Sequence, residues 1–125
     1  MTMTSQMRQM SGSDGVDSPM MAASYLFHGF SDQSRLIILQ HLLLGEHRVV
    51  ELTEHLGLAQ STVSRHLACL KDCGLVESRP QGRASVFSVT HLPAIQELLT
   101  AAERLLLLTG YAVTLCPNHG VNAHD

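Results

Sequence analysis

"LTEHLGLAQSTVSRHLACLKDCGLV", residues Leu52 to Val76, decides how this chain reads. Val50, Leu52 and Leu56 recur at helical spacing and predict a short helix stopped by Gly57. Leu58, Ala59 and Gln60 form a tight connection. A second helix follows from about Ser61 to Cys73 and is closed by Gly74. Val63, Leu67 and Leu70, at i, i+4 and i+7, are its inward stripe. Ser61, Arg65 and Ala68 fall roughly opposite that stripe. The free side carries Gln60, Ser61, Thr62, Ser64 and Arg65, all small or polar. Such side chains reach base edges and phosphates without steric conflict, so this helix suits a DNA major groove.

The neighbouring text supports a DNA-reading unit. Leu75 to Arg79, "LVESR", alternates like a strand, "PQGR" is a turn, and Ala84 to Val89, "ASVFSV", alternates again. This predicts a β-hairpin with a basic tip, with Arg79 and Arg83 placed to hold backbone phosphates. Upstream, Met20 to Phe30 reads as a first helix. Ser31 and Asp32 are N-cap types before "DQSRLIILQHLLLG", where Leu36, Leu39 and Leu43, with Ile37 and Leu44, predict a helix ended by Gly45. Downstream, Leu92 to Thr109 reads as a long helix with Pro93 in its first turn. Its apolar residues Ile95, Leu98, Leu99, Ala102, Leu105, Leu106 and Leu108 cover more surface than one small domain buries, which points to a homodimer. The expected class is mainly α (α+β), a winged helix-turn-helix. Residues 1–19 read as a flexible tail, 20–110 as one DNA-binding and dimerisation domain, and 111–125 as a C-terminal tail carrying Cys116 and His119.

The totals set limits. A chain of 125 residues suits one compact domain. A formal charge of −3 excludes a protein that coats nucleic acid by bulk charge, so binding must come from a local patch. No apolar run is long enough for a membrane span, and no cationic start precedes an apolar stretch. Three cysteines without a secretory signal point to reduced thiols in the cytoplasm. No C-x-x-C, Ser/His/Asp arrangement or phosphate loop argues for an enzyme.

The ordered pattern "LTEHLGLAQSTVSRHLACLKDCGLVESRPQGRASVFSV", with "DQSRLIIL" before it, resembles the winged-helix repressors of the ArsR/SmtB family. The resemblance spans about residues 20–108. It implies a homodimer that binds double-stranded operator DNA and is released by a metal or metalloid ion. Ala59 departs from the pattern, because family members often carry Ser there; a helix cap is weakened.

Cys69 and Cys73 sit four apart, on a flank of the second helix between its inward and outward arcs. Taken alone, such a pair is more often packing, since cysteine is among the most buried residue types. The resemblance changes that reading. The "ELCVCDL" segment of one family type is here "VVELTEHL", without cysteine, and a site on the last helix is not supported by "AAERLLLL". "CLKDCGLV" plus Cys116 is instead similar to the CmtR-type cadmium and lead sensors of actinobacteria. That likeness implies a three-thiolate site of Cys69, Cys73 and Cys116, with Cys116 from either subunit. Cd(II) or Pb(II) is the implied effector, with Zn(II) and As(III) as further thiophilic candidates. His119, in "CPNH", is an added ligand candidate by its C-x-x-H spacing, while His66 is left to the fold. An arsenite-responsive repressor and a thiol-redox repressor of the same fold stand as alternatives.

Overall fold

The computed structural model describes residues 18–117. Most of the expected N-terminal tail, the end of the C-terminal tail and His119 lie outside the described residues. Helix α1 (Pro19–Gly29) starts where Ser18 accepts the Met21 N–H at 3.2 Å, with proline in the first turn. Helix α2 (Gln33–Leu44) starts at Asp32, whose carboxylate accepts the Arg35 N–H at 3.0 Å. Arg35, only 8% exposed, reaches back to α1. Its Nε donates to the Gly29 carbonyl at 3.2 Å and its Nη2 to the His28 carbonyl at 2.7 Å. A cation therefore closes the C-terminus of α1, where free carbonyls favour positive charge.

The inward face of α2 differs from the expected stripe. Ile38, Leu39, Leu42 and Leu43 are buried, while Ile37 and Leu44 face out. The helix packs against several partners on one side, which turns these two leucine-like positions to solvent. Strand β1 (His47–Arg48) was not expected, because two residues are too short to show a period. Helix α3 (Val49–Leu56) follows at once, with the Glu51 carboxylate accepting the Arg48 N–H at 2.7 Å. Leu52 is fully buried and Val49 packs on the core, but Val50 is exposed, contrary to expectation. The helix begins at Val49, so positions 49, 52 and 56 share the inward side. Gly57 ends α3 at φ 70°, in the left-handed region that glycine enters without strain.

Helix α4 (Gln60–Asp72) buries Val63, Leu67 and Leu70, as its spacing predicts. Strands β2 (Val76–Gln81) and β3 (Ala84–Val89) form the hairpin. The sheet order is β1-β3-β2, antiparallel throughout. The expected turn "PQGR" is shorter in fact. Pro80 pairs with Ser85 and Gln81 with Ala84, leaving only Gly82 and Arg83 at the tip. Proline is tolerated there because β2 is an edge strand.

Helix α5 (Leu92–Leu108) completes the chain of elements. Only Ile95 and Leu99 of its apolar residues enter the core, beside the α2, α3 and α4 residues. Leu105, Leu107 and Leu108 are 63%, 63% and 84% exposed. The result is a mainly α winged helix-turn-helix: α3 and α4 are the two helices and β2–β3 the wing. Among the described residues no helix is long and apolar enough to cross a membrane.

Candidate nucleic-acid interface and thiol cleft

Burial of Val63, Leu67 and Leu70 turns the opposite arc of α4 outward. Gln60, Ser61, Ser64 and Arg65 are exposed and Thr62 is half-buried. The five DNA contacts expected of this helix therefore belong to its first half. Ala59 precedes that helix with no side-chain bond to its first turn, while its carbonyl accepts the Thr62 and Val63 N–H groups at 3.0 and 3.1 Å. A helix N-terminus attracts phosphate, and no acidic side chain stands in the first turn of this one.

The two expected phosphate contacts of the wing are unlike each other. Arg83 is exposed at the hairpin tip. Arg79 is held in β2 by Glu46, with Nη2 at 2.8 and 2.7 Å from the two carboxylate oxygens. A phosphate would have to share or replace Glu46 to use Arg79. Sequence reasoning missed this pairing, since the partners are far apart in the chain.

The other half of α4 carries the thiols. Cys69 and Cys73 are both half-buried and free. They line one cleft of about 380 Å³ together with Tyr25, His28 and Asp72. The Cys73 thiol donates to the Tyr25 carbonyl at 3.2 Å, which ties the end of α4 to α1. Gly29 makes that approach possible: a Cβ there would meet Leu75 at 2.8 Å and the Cys73 sulfur at 3.3 Å. Burial pushes the Cys73 pKa up, and the neighbouring Cys69 thiol adds to the rise while Arg35 opposes it. A soft cation would have to displace the Cys73 proton to bind the sulfur.

Cys116 is elsewhere within the chain. It is 5% exposed and does not line the cleft. The Glu103 carboxylate of α5 accepts its N–H at 2.8 Å and the Leu115 N–H as well. Gln40 of α2 donates Nε2 to the Thr114 and Leu115 carbonyls at 3.3 and 3.1 Å. The segment before Cys116 is thus seated on α2 and α5. One chain brings Cys69 and Cys73 together and does not bring Cys116 to them. His28 and Asp72, which stand at the same cleft, carried no spacing motif that sequence reading could use.

The chain is similar to known proteins over these elements. The model of the bacterial regulatory protein, arsR family, matches residues 32–78, from the start of α2 into β2. A Streptomyces lividans protein named "Probable mercury resistance operon repressor" is 38% identical over 90 residues, covering 72% of this chain and 71% of that one. The Mycobacterium tuberculosis transcriptional regulator CmtR is 44% identical over 62 residues, 50% of this chain and 52% of its own. A solved homodimeric winged helix-turn-helix DNA-binding domain from Mycobacterium bovis superposes with a TM-score of 0.63 at 26% identity, covering 75% of this chain and 91% of that one.

Proposed function

We propose, from the premise that this chain belongs to the arsR family of bacterial regulatory proteins, that it is a repressor released from DNA by a soft metal ion. Membership makes it a DNA-binding transcriptional regulator and not an enzyme. The observation that carries the metal reading is the shared cleft of Cys69 and Cys73 at the end of the reading helix. Two thiols side by side, with an imidazole and a carboxylate at the same cleft, suit a thiophilic cation better than a hard one. The effector proposed is Cd(II) or Pb(II), held by Cys69, Cys73 and Cys116. Support comes from "CLKDCGLV" and from the 44% identity to CmtR.

Cys116 is proposed to come from the second subunit, since its own chain seats it away from the cleft. The exposed leucines of α5 are the surface proposed to pair two copies, and the similar Mycobacterium bovis domain is a homodimer. Two reading helices would then meet successive major grooves about 34 Å apart on a roughly palindromic operator. An ion at the thiols would be bonded to the end of α4 and so act on its orientation. By linkage, DNA must weaken ion binding by the factor that the ion weakens DNA binding.

A second reading has its own support. Within one chain only two thiols share the cleft, and Hg(II) is satisfied by two thiolates in line. The Streptomyces lividans relative is named for mercury resistance.

The test is a mobility-shift titration on operator DNA selected from a random-sequence pool. Cd(II), Pb(II) and Hg(II) are added to the wild type and to Cys69→Ser, Cys73→Ser and Cys116→Ser. The expected result is release by Cd(II) or Pb(II) that each substitution abolishes. Release by Hg(II) alone that survives Cys116→Ser would select the two-thiol reading. Release untouched by all three substitutions would remove the thiols from the mechanism. Thiolate-to-metal charge-transfer absorbance counts the sulfur ligands independently.

A further inference from the structure

Three histidines meet away from the thiol cleft. His41 lies in the last turn of α2, His47 in β1 and His55 in the last turn of α3. One ring nitrogen of each lies within 4.8 Å of the other two. His41 and His55 stack with ring centroids 4.5 Å apart, and His47 stands edge-on at 6.0 and 5.6 Å. Among the described residues no other three metal-ligating side chains converge in this way.

We propose that His41, His47 and His55 form a second, all-nitrogen metal site for a borderline divalent cation of the Zn(II) class. Three observations carry it. First, the spacing is right: Zn–N bonds of about 2.0–2.1 Å in a tetrahedron put ligand nitrogens about 3.4 Å apart. Rotation of side chains closes the remaining gap, and His55, at an exposed helix end, is free to make it.

Second, His47 is already oriented as a ligand. Its Nδ1 is 2.7 Å from the Gly45 carbonyl, so Nδ1 carries the proton and Nε2 offers its lone pair. A backbone carbonyl behind a ligating imidazole fixes tautomer and ring direction together. Gly45 itself sits at φ 153°, ψ 169°, a backbone region almost reserved for glycine. The chain thus leaves α2 in a shape that aims this carbonyl at His47.

Third, the donors choose the ion. Three imidazoles without a thiolate favour Zn(II), Ni(II), Co(II) or Cu(II) over the cations drawn to the cysteines. A fourth position remains for water. An ion here would bind α2, α3 and the sheet's edge strand β1 into one unit. It would stiffen the reading unit from the side opposite its thiol end.

The experiment uses the full-length chain with all three cysteines replaced by serine, titrated with Co(II). The expected result is one Co(II) per chain with visible ligand-field bands and no sulfur charge-transfer band. Zn(II) should displace it and raise Tm. His47→Gln and His55→Gln should each weaken binding at least about tenfold, as loss of a ligand or its support does. His91→Gln, at an exposed position outside the cluster, should change nothing. The same substitutions are repeated in the wild type with its thiols filled by Cd(II), so that misfolding of the triple variant does not decide the outcome. Binding that ignores both His47→Gln and His55→Gln, or no Co(II) binding in either background, overturns the site. Cadmium charge transfer in the wild type reports on the thiol reading separately.

Discussion

The two ends of α4 are built on opposite terms. At the first end, Gln60, Ser61, Ser64 and Arg65 are exposed and Ala59 gives no side-chain cap. At the last end, almost every group is held. Cys73 donates to Tyr25, Lys71 Nζ donates to Ser78 Oγ at 2.9 Å, and the Leu75 N–H donates to the Leu70 carbonyl at 2.9 Å. Thr90 Oγ1 adds a bond to the Gly74 carbonyl at 2.7 Å. A helix of 13 residues spans about 20 Å, so it acts as a short lever with one end clamped. The free end suits reading and the clamped end sets its angle. The thiols sit at the clamp, where an added bond has most leverage on orientation.

The lever works only if its middle is rigid, and Leu67 is the residue that breaks it. Leu67 is 1% exposed among α2, α3 and α4 residues. Leu67→Ala should cost about 2–5 kcal/mol of stability by lost burial and a cavity. Urea unfolding followed by circular dichroism reads this; a cost below that range would mean the two ends do not share one core. At the free end the expected effect is smaller and confined to DNA. Arg65→Ala should weaken operator binding by about 1–3 kcal/mol if it reads a base. It should leave unfolding unchanged, because the side chain touches solvent. Arg83→Ala should instead lower the salt dependence of binding by about one phosphate contact, equally for all sequences. Identical behaviour of the two variants would erase the distinction between helix and wing.

How much of this was legible in the sequence follows the range of the interactions. The stripe Val63, Leu67 and Leu70 is a local period, and it predicted the face of α4 correctly. So were Asp32 as a cap and the stops at Gly45, Gly57 and Gly74, which depend on neighbours in the chain. The α2 stripe failed at Ile37 and Leu44 because nearly every position there is apolar, and only packing chooses among leucines. β1 was invisible, since its identity as a strand comes from Phe87 and Val86 across the sheet. The cleft was half legible: the i, i+4 thiols are local, but Tyr25 and His28 arrive from α1 through the Arg35 clamp. The histidine cluster was not legible at all, as His41, His47 and His55 follow no motif spacing. The Cys116 position could be named by likeness alone, because no local rule links a tail to a helix.

Asp32 gives the finest test of how the clamped lever is tied to the rest. Its carboxylate caps α2, and its Oδ2 is also 3.8 Å from His66 Nε2 in the middle of α4. The Arg35 N–H bonded to it holds the Asp32 pKa below the ordinary 3.8, against the opposing effect of burial; the charges of His66 and Arg35 add to the lowering. A carboxyl with a depressed folded pKa contributes stability above its unfolded value and loses it as pH falls through its folded value. Asp32→Ala should therefore cost about 1 kcal/mol near neutral pH, the size of a lost N-cap. The difference from wild type should begin to shrink as pH falls below 3.8 and go on shrinking through the lower folded value. Asp32→Asn separates the two roles: it keeps the cap and loses the charge facing His66. If Asn restores the stability but changes the operator affinity, the His66 contact acts on the lever itself. If Asn restores both, Asp32 serves α2 alone, and the orientation of α4 rests on its thiol end.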